Sequence, residues 1–532
     1  MACECCNAKG GTIPTQQVET VVQVRQEEDP HSVDILQQLA CNSLSTLSMN
    51  FSVDGETIIP VAAMGSQSSS AAHLSLGIQD MKLLRGTNLV QVLSSFGAEL
   101  RCNSLNQSLT PEEAAKLYRK SFQVNKFDYF ISHCWQDERF PKVVALYIHK
   151  NLHVAMIFST IVAIILTALT RLKVLPVVAE GDSNVIDHFP WALCGGGLSF
   201  FFVLFTWHHV AFLVRPRIYF LDKFCVHQGD DDLKRLGVQS FAGFVAASDR
   251  MLLLWTTQYF TRLWCTLELA ALVKSRQGLA ATKFPLEILP LKLAKVSFMT
   301  WVTVFLVYAI VQFNRILGRP IPDIGILGVA LLVSAFVLIR ALRVYAHDRK
   351  AMHHQIENFS VQEAKCSDER DRRWVERSML RWFADLELCN LHIRQAVREQ
   401  AEERLGPERH IPTKLLMPVF LVNLFNDCDY IVGGYYDSLR KSLAGLGWAA
   451  FTLSIVPVGY RLALCFTQQR KWFLELLINT SLSLGLVLLA VSIYVTTHFV
   501  VAKPEVNAVV LCIPFLEIVV VAWLQRRSFG RC

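Results

Sequence analysis

The sequence predicts a polytopic α-helical membrane protein that carries one split α/β domain with a parallel sheet. Three observations point there. Of the 532 residues, 52% are hydrophobic and 18% are charged, whereas soluble domains carry about a quarter charged residues. Several apolar runs reach the ~20 residues that a membrane-spanning helix needs. Two polar blocks between those runs alternate short apolar strands with helices, the pattern of a parallel sheet covered on both faces. The net charge of +7 comes from cations that flank apolar runs. That arrangement bears on membrane orientation and gives no support to nucleic-acid binding, which needs a basic stripe.

Residues 1–110 are polar, Ser/Gln/Thr-rich and weakly periodic. They read as largely disordered, with short ordered pieces near 33–48 and 80–100. Cys3, Cys5 and Cys6 form the one dense cysteine group. It is either a juxtamembrane acylation site or incidental, and no further ligands follow at metal-site spacing. The other cysteines are scattered and none falls in 171–189, the longest loop expected outside the cytosol, so reduced thiols are expected.

The first part of the α/β domain occupies 120–150: "FDYFISHCW" (127–135) is a strand with its loop, and 137–151 a helix. A transmembrane hairpin fills 152–214, with spans at 152–170 and 191–214. The second part of the domain, 215–292, holds strands at 217–224, 250–255 and 286–291 and helices at 233–248 and 262–275, with the acidic loop "QGDDD" at 228–232. A second hairpin at 296–340 carries spans 296–314 and 324–340. The charged block 341–411 contains one long amphipathic helix from Asp368 to Leu405, stopped by Gly406 and Pro407. It is either a solvated connector or a partner-binding helix. Three further spans lie within 444–524, near 444–466, 472–497 and 506–524. A short run at 412–428 makes an arguable eighth span. Inserting it brings Arg470, Lys471 and the basic tail 525–532 to the cytosolic side, so the positive-inside tendency favours eight.

The strand-forming blocks resemble a Toll/interleukin-1 receptor (TIR) domain. "FDYFISH" is similar to the family's first strand, and "YFLD", ending in Asp222, to its second. "AASDRMLLLWTTQYFTRLWCTLEL" is similar to the Ser-Arg-apolar strand followed by Trp-Cys-x-x-Glu-Leu, carried by Trp264, Cys265, Glu268 and Leu269. The resemblance implies a flavodoxin-like α/β parallel sheet on the cytosolic face. It is split by the hairpin 152–214 and trimmed, because the third span begins near Val296, where the family's last strand and helix would be. An even number of spans returns the chain to the same side, so the two halves can share one sheet, and the first helix can run on into the first span.

Some members of this family hydrolyse NAD with the Glu of that motif, so Glu268 is the candidate catalytic acid, NAD the candidate substrate, and Trp135, Asp222 and Trp264 the candidate cofactor contacts. A carboxylate there could stabilise oxocarbenium character on the ribose. Other members act only by association and keep the same Glu. The loop His133-Cys134-Trp135-Gln136-Asp137 lacks the basic residues common in active members, and the acidic loop would repel a pyrophosphate. Glu268 then hydrogen-bonds backbone amides near the first strand and ties helix to sheet. The expected function is signalling by self-association or by binding other TIR-like domains at a lipid membrane. The alternatives are a membrane-tethered NAD hydrolase and a channel or transporter. The third rests on intramembrane ionisable residues: Arg461 and Glu475, expected to pair across a hairpin, and Glu517. Cys225 and His227 form a weak thiol–imidazole pair on a strand end, and no metal site is expected.

Overall fold

The computed structural model describes residues 76–101, 110–175, 189–278, 284–316, 323–366, 369–408, 411–432, 458–467 and 471–495. The piece at 33–48, the cysteines at 3, 5 and 6, the greater part of 444–466, the span 506–524 with Glu517, and the tail 525–532 lie outside them. The chain is mostly helical around two small sheets. Strands β1 (Arg85–Gly86) and β2 (Phe122–Gln123) pair antiparallel. Strands β3 (Phe127–His133), β4 (Tyr219–Phe220), β5 (Ser248–Trp255) and β6 (Leu286–Pro290) form a parallel sheet in the order β4-β3-β5-β6. Tyr129 pairs with Tyr219 and Phe130 with Phe220. The alternation of strand and helix thus yields one parallel sheet built from segments on both sides of the first apolar hairpin.

The second strand is shorter than expected. It ends at Phe220, and Asp222–Cys225 forms a helical turn, so Cys225 and His227 do not stand on a strand end. The expected helix 233–248 is two helices meeting at Ser240. Helix α1 (Pro111–Tyr118) opens with a Thr110–Glu113 capping box. Helix α2 (Arg139–Arg171) follows β3, α3 (Trp191–Val214) precedes β4, and α4 (Asp231–Gln239) and α5 (Phe241–Ala246) connect β4 to β5. Helix α6 (Leu263–Ser275) connects β5 to β6, and α7 (Leu291–Ile316) starts at the residue after β6.

Helix α2 has two lives along one axis. Val143, Val144, Ala145 and Leu146 are buried in the core that covers the sheet, whereas Ile157, Phe158, Ile161, Ile164 and Ile165 are exposed. With ~1.5 Å rise per residue the helix is rigid across that change of surroundings. It is one of four helices long and apolar enough to cross a membrane, with α3, Leu291–Asn314 of α7 and Trp472–Leu489. The span expected at 324–340 falls in α8 (Asp323–Glu357). The short run expected at 412–428 is α11 (Met417–Val432), and its Leu421, Val422 and Phe425 are buried against α2, α3 and α7. Close helix approach needs small residues, which Gly195, Gly196 and Gly197 supply. A Cβ on Gly196 would lie 2.8 Å from Phe425, and one on Gly197 2.1 Å from Phe305.

Sequence reasoning missed the polar face of α11. Asp429 accepts the backbone amides of Ala192 and Leu193 (2.9 and 2.8 Å) and so caps α3. Asn423 bonds Tyr308, and Asn426 bonds Gln312 (2.6 Å).

The long helix expected from Asp368 to Leu405 is broken. Helices α9 (Glu369–Phe383) and α10 (Leu386–Leu405) meet at Ala384, whose φ is +64°. The break lets Val375, Met379, Phe383, Ile393 and Val397 all enter the core around the sheet. An unbroken helix would carry α10 off into solvent. The block is therefore part of the α/β unit, neither a solvated connector nor a free partner helix. Residues 76–101 join the same core through Leu84, Val92 and Leu93. Thr87 bridges Tyr219 by two backbone hydrogen bonds, 2.8 and 2.7 Å, which shields the β4 edge of the sheet.

Asp128 fastens the split. Its carboxylate accepts from the Arg217 guanidinium and from the Ile218 backbone amide (2.8 Å), a few residues after the second apolar helix. Asp128→Ala is expected to cost about 1–3 kcal/mol and to speed amide exchange in β4 selectively, measured by hydrogen–deuterium exchange of the full chain in detergent. Ala384→Gly should do the opposite. A left-handed Ala is strained by about 1–2 kcal/mol, glycine's extra unfolded entropy costs about 0.5–1 kcal/mol, and the difference should raise the melting temperature.

Candidate functional site

The order β4-β3-β5-β6 has its reversal between β3 and β5: the chain steps from β3 to one side and then returns to the other. In open parallel sheets ligands bind beyond the carboxyl ends of the strands at such a point. Two of the candidate residues, Trp135 and Asp222, lie at these ends. His133 closes β3, Trp255 closes β5, and α6 brings Glu268 against the middle of the sheet.

Glu268 is buried, 7% exposed. Its carboxylate accepts from the Ser132 hydroxyl, and Ser132 in turn bonds the Tyr259 hydroxyl. Ser132 and Tyr259 are themselves fully buried. The partner of Glu268 is thus a serine side chain on the first strand, not the backbone amides expected. A hydroxyl from β3 is a local, directional tie between α6 and the sheet. Burial pushes the Glu268 carboxyl well above its ordinary value, the Ser132 hydrogen bond offsets this in part, and the nearby Asp222 carboxylate adds to the rise. Burial likewise raises the Tyr259 phenol well above its usual range. Beside them the Cys265 thiol faces the His133 carbonyl (3.9 Å) and is raised by burial and then by Glu268, so it is no nucleophile.

Trp135 and Asp222 do come together: the exposed indole donates its N–H to the Asp222 carboxylate. Burial raises the Asp222 carboxyl, with the Trp135 and Lys223 hydrogen bonds acting against it. Trp264 is elsewhere. Its ring packs between Phe241 and Trp374, with centroids 6.2 and 6.1 Å away, which assigns it to helix packing rather than cofactor contact. Next to the pair, Thr256 bonds both oxygens of Asp137 at 3.0 Å, joining the loop after β3 to the loop after β5. Gln355, near the end of α8, donates to the Thr257 carbonyl (2.7 Å). The crevice is closed by its own side chains.

The charge around it is balanced by structure. Burial holds the His133 imidazole well below its ordinary value, and the charges of Lys142 and Lys223, both buried, act in the same direction. The acidic run is a helix start: Asp230 caps α4 by accepting from the Leu233 amide (2.9 Å), and Asp231 and Asp232 sit in its first turn, where the helix dipole favours them. His227 accepts the amides of Gly229 and Asp230, and the Cys225 thiol is buried and pushed up to about 12, so the two form no catalytic pair. The N-terminus of α6 has no side-chain cap; the carbonyl of Lys365 takes the Leu263 amide (3.1 Å). Among the described residues no cluster of His, Cys, Asp and Glu could hold a metal ion.

The raised Glu268 carboxyl gives stability a pH dependence of definite sign. Its proton is retained in the folded state above 4.5 and lost in the unfolded state. Its contribution to stability is therefore best below that value and falls as pH rises toward the raised folded value. Glu268→Gln keeps the shape and the acceptor and should flatten this loss in melting curves taken from about pH 5 to about pH 8. Glu268→Ala removes the acceptor and leaves a cavity; it should cost about 2–4 kcal/mol at low pH, and the cost should shrink as pH rises toward the raised folded value. No family model, no curated protein and no solved structure matches the chain.

Proposed function

We propose that the chain is an integral membrane signalling protein whose α/β unit is a TIR-like, flavodoxin-type module on the cytosolic side, acting by self-association or by binding another TIR-like domain. The parallel sheet supports it, because the resembling blocks meet there: "FDYFISH" is the second strand from the edge, and Glu268 of "WCTLEL" bonds its Ser132. Four helices apolar and long enough to cross a membrane support the membrane part.

The observation that carries association over NAD hydrolysis is the enclosure of Glu268. It lies behind Ser132 and Tyr259, its carboxyl is raised by burial, and the mouth above it is bridged by Trp135–Asp222 and Thr256–Asp137. Burial thus disfavours the charged form that would stabilise a ribose cation. What the crevice offers outward is an exposed indole at Trp135 and the exposed acids Asp231 and Asp232, an aromatic anchor with a charged rim.

Full-length protein in liposomes should cross-link to dimers or larger species. The triple variant Trp135→Ala, Asp231→Lys, Asp232→Lys should reduce that yield by roughly fivefold or more, the effect of ~1 kcal/mol. NAD incubated with the wild type should release no nicotinamide. Nicotinamide release that Glu268→Gln abolishes would overturn the reading in favour of the hydrolase.

A further inference from the structure

A second site lies away from the crevice, where α8 and α12 (Trp472–Val495) meet. A cavity of about 540 Å³ there is lined by Lys292, Arg340, Arg343, His347, Trp472 and Asn479, among others. Its volume falls within the range of small-molecule sites. Arg343 is the floor. Buried to 6% exposure, it donates to both oxygens of Glu475 (2.6 and 3.1 Å), to Asn479 (2.7 Å) and to the Phe466 carbonyl. The carboxylate expected to pair with Arg461 is thus engaged by Arg343 of another helix. The second acid in the wall, Asp348, is held by Lys292 at 2.8 Å. Among the described lining residues, both carboxylates are paired with cations of the cavity, and Arg340 takes part in neither pair. Its side chain is exposed. At the rim, Lys350 bonds Thr467 (3.2 Å), a lining residue, and Lys471 is exposed beside Trp472.

The depth of the cavity identifies its ligand. On one side the helices present lipid-type surfaces: Val329, Leu332 and Val333 of α8, and Phe473, Leu476, Leu477, Leu484 and Leu488 of α12, are all exposed. On the other side α8 becomes charged and its Met352 and Ile356 enter the core of the α/β unit. Trp472, 77% exposed, stands at the change, the position aromatic residues take at a membrane–water boundary. A cationic cavity at that level, open between two helices, matches an anionic headgroup whose chains run along the apolar surfaces.

We infer that this cavity binds the phosphate of an anionic phospholipid headgroup, with Arg340 as the direct phosphate contact and Trp472 against the glycerol end. The site depends on the membrane-embedded reading and not on what the α/β unit does. The test uses full-length protein in nanodiscs of phosphatidylcholine alone, with added phosphatidylinositol phosphate, or with phosphatidylserine matched for total charge. Phosphatidylinositol phosphate should raise the melting temperature, and Arg340→Gln should weaken its apparent affinity roughly tenfold, the loss of one charge-assisted bond. The variant should melt normally in phosphatidylcholine, because Arg340 is not part of the Arg343–Glu475 anchor. Arg235→Gln on α4 controls for bulk charge and should behave as wild type. Three results overturn the inference: no shift with the phosphorylated lipid, an equal shift with phosphatidylserine that Arg340→Gln leaves intact, or the full shift from inorganic phosphate in phosphatidylcholine discs, which would make the site one for a soluble anion.

Discussion

The sheet depends on a closure: the chain leaves β3, makes two long apolar helices, and must return beside the strand it left. An antiparallel helix pair can do this because its ends lie together. Asp128 then completes the return, taking the Arg217 guanidinium and the Ile218 amide a few residues after α3. Only with that register does Tyr129 stack on Tyr219 and Phe130 on Phe220, at centroid distances of 5.2 and 4.7 Å. The three glycines of α3 serve the same closure, since bulkier residues would hold α3 off α2, α7 and α11. An insertion between a first strand and its neighbour usually threatens a sheet through loop entropy. Here most of the inserted segment is the two packed helices α2 and α3, so the ends of the split are presented to each other by helix packing.

The same economy of connection ties the two halves of the molecule mechanically. Helix α2 carries the core side chains of the sheet at one end and exposed apolar ones at the other. Helix α7 begins at the residue after β6. Helix α8 ends with Gln355 bonded to the loop beyond β5. The described connections from β3 to α2 and from β6 to α7 are short, so these strand ends are joined closely to the apolar helices. Beyond the end of β3, Trp135 and Asp137 bridge the crevice to Asp222 and Thr256.

Much of this was legible in the residues, for reasons that can be traced. Apolar length marks α2, α3, α7 and α12 because membrane-type helices need it regardless of context. Strand alternation with helices marks the parallel sheet, because both its faces are buried. The Ala384 break was not legible: alanine favours helix, and the left-handed turn is imposed by tertiary packing of Met379 and Phe383 on one side and Ile393 on the other. The second strand was overread because "LDKF" looks apolar enough to extend, while Leu221 to Cys225 closes a helical turn. At the site, Trp135 and Asp222 could be placed on adjacent strand ends by topology. Trp264 could not be placed, since its neighbours Phe241 and Trp374 belong to helices far away in sequence. Asp429 was missed because its partners are backbone amides, which leave no trace in a side-chain pattern.

The state of Glu268 decides between chemistry and architecture at the crevice. An ionised carboxylate away from water needs several donors or a cation to offset a desolvation cost of several kcal/mol. Glu268 has the Ser132 hydroxyl in contact and the Asp222 carboxylate nearby, an arrangement that favours the neutral acid. Opening the mouth would break hydrogen bonds of modest net strength, about 0.5–1.5 kcal/mol each, so Trp135 and Thr256 are not the barrier. Ser132 and Tyr259 are. Both are buried under the crevice, and Tyr259 packs on Phe260 in the turn that precedes α6. Exposing the carboxylate would mean lifting the start of α6 off β3, which the Lys365 carbonyl also holds. A residue whose exposure requires dismantling a helix–sheet contact is placed first of all to hold that contact together.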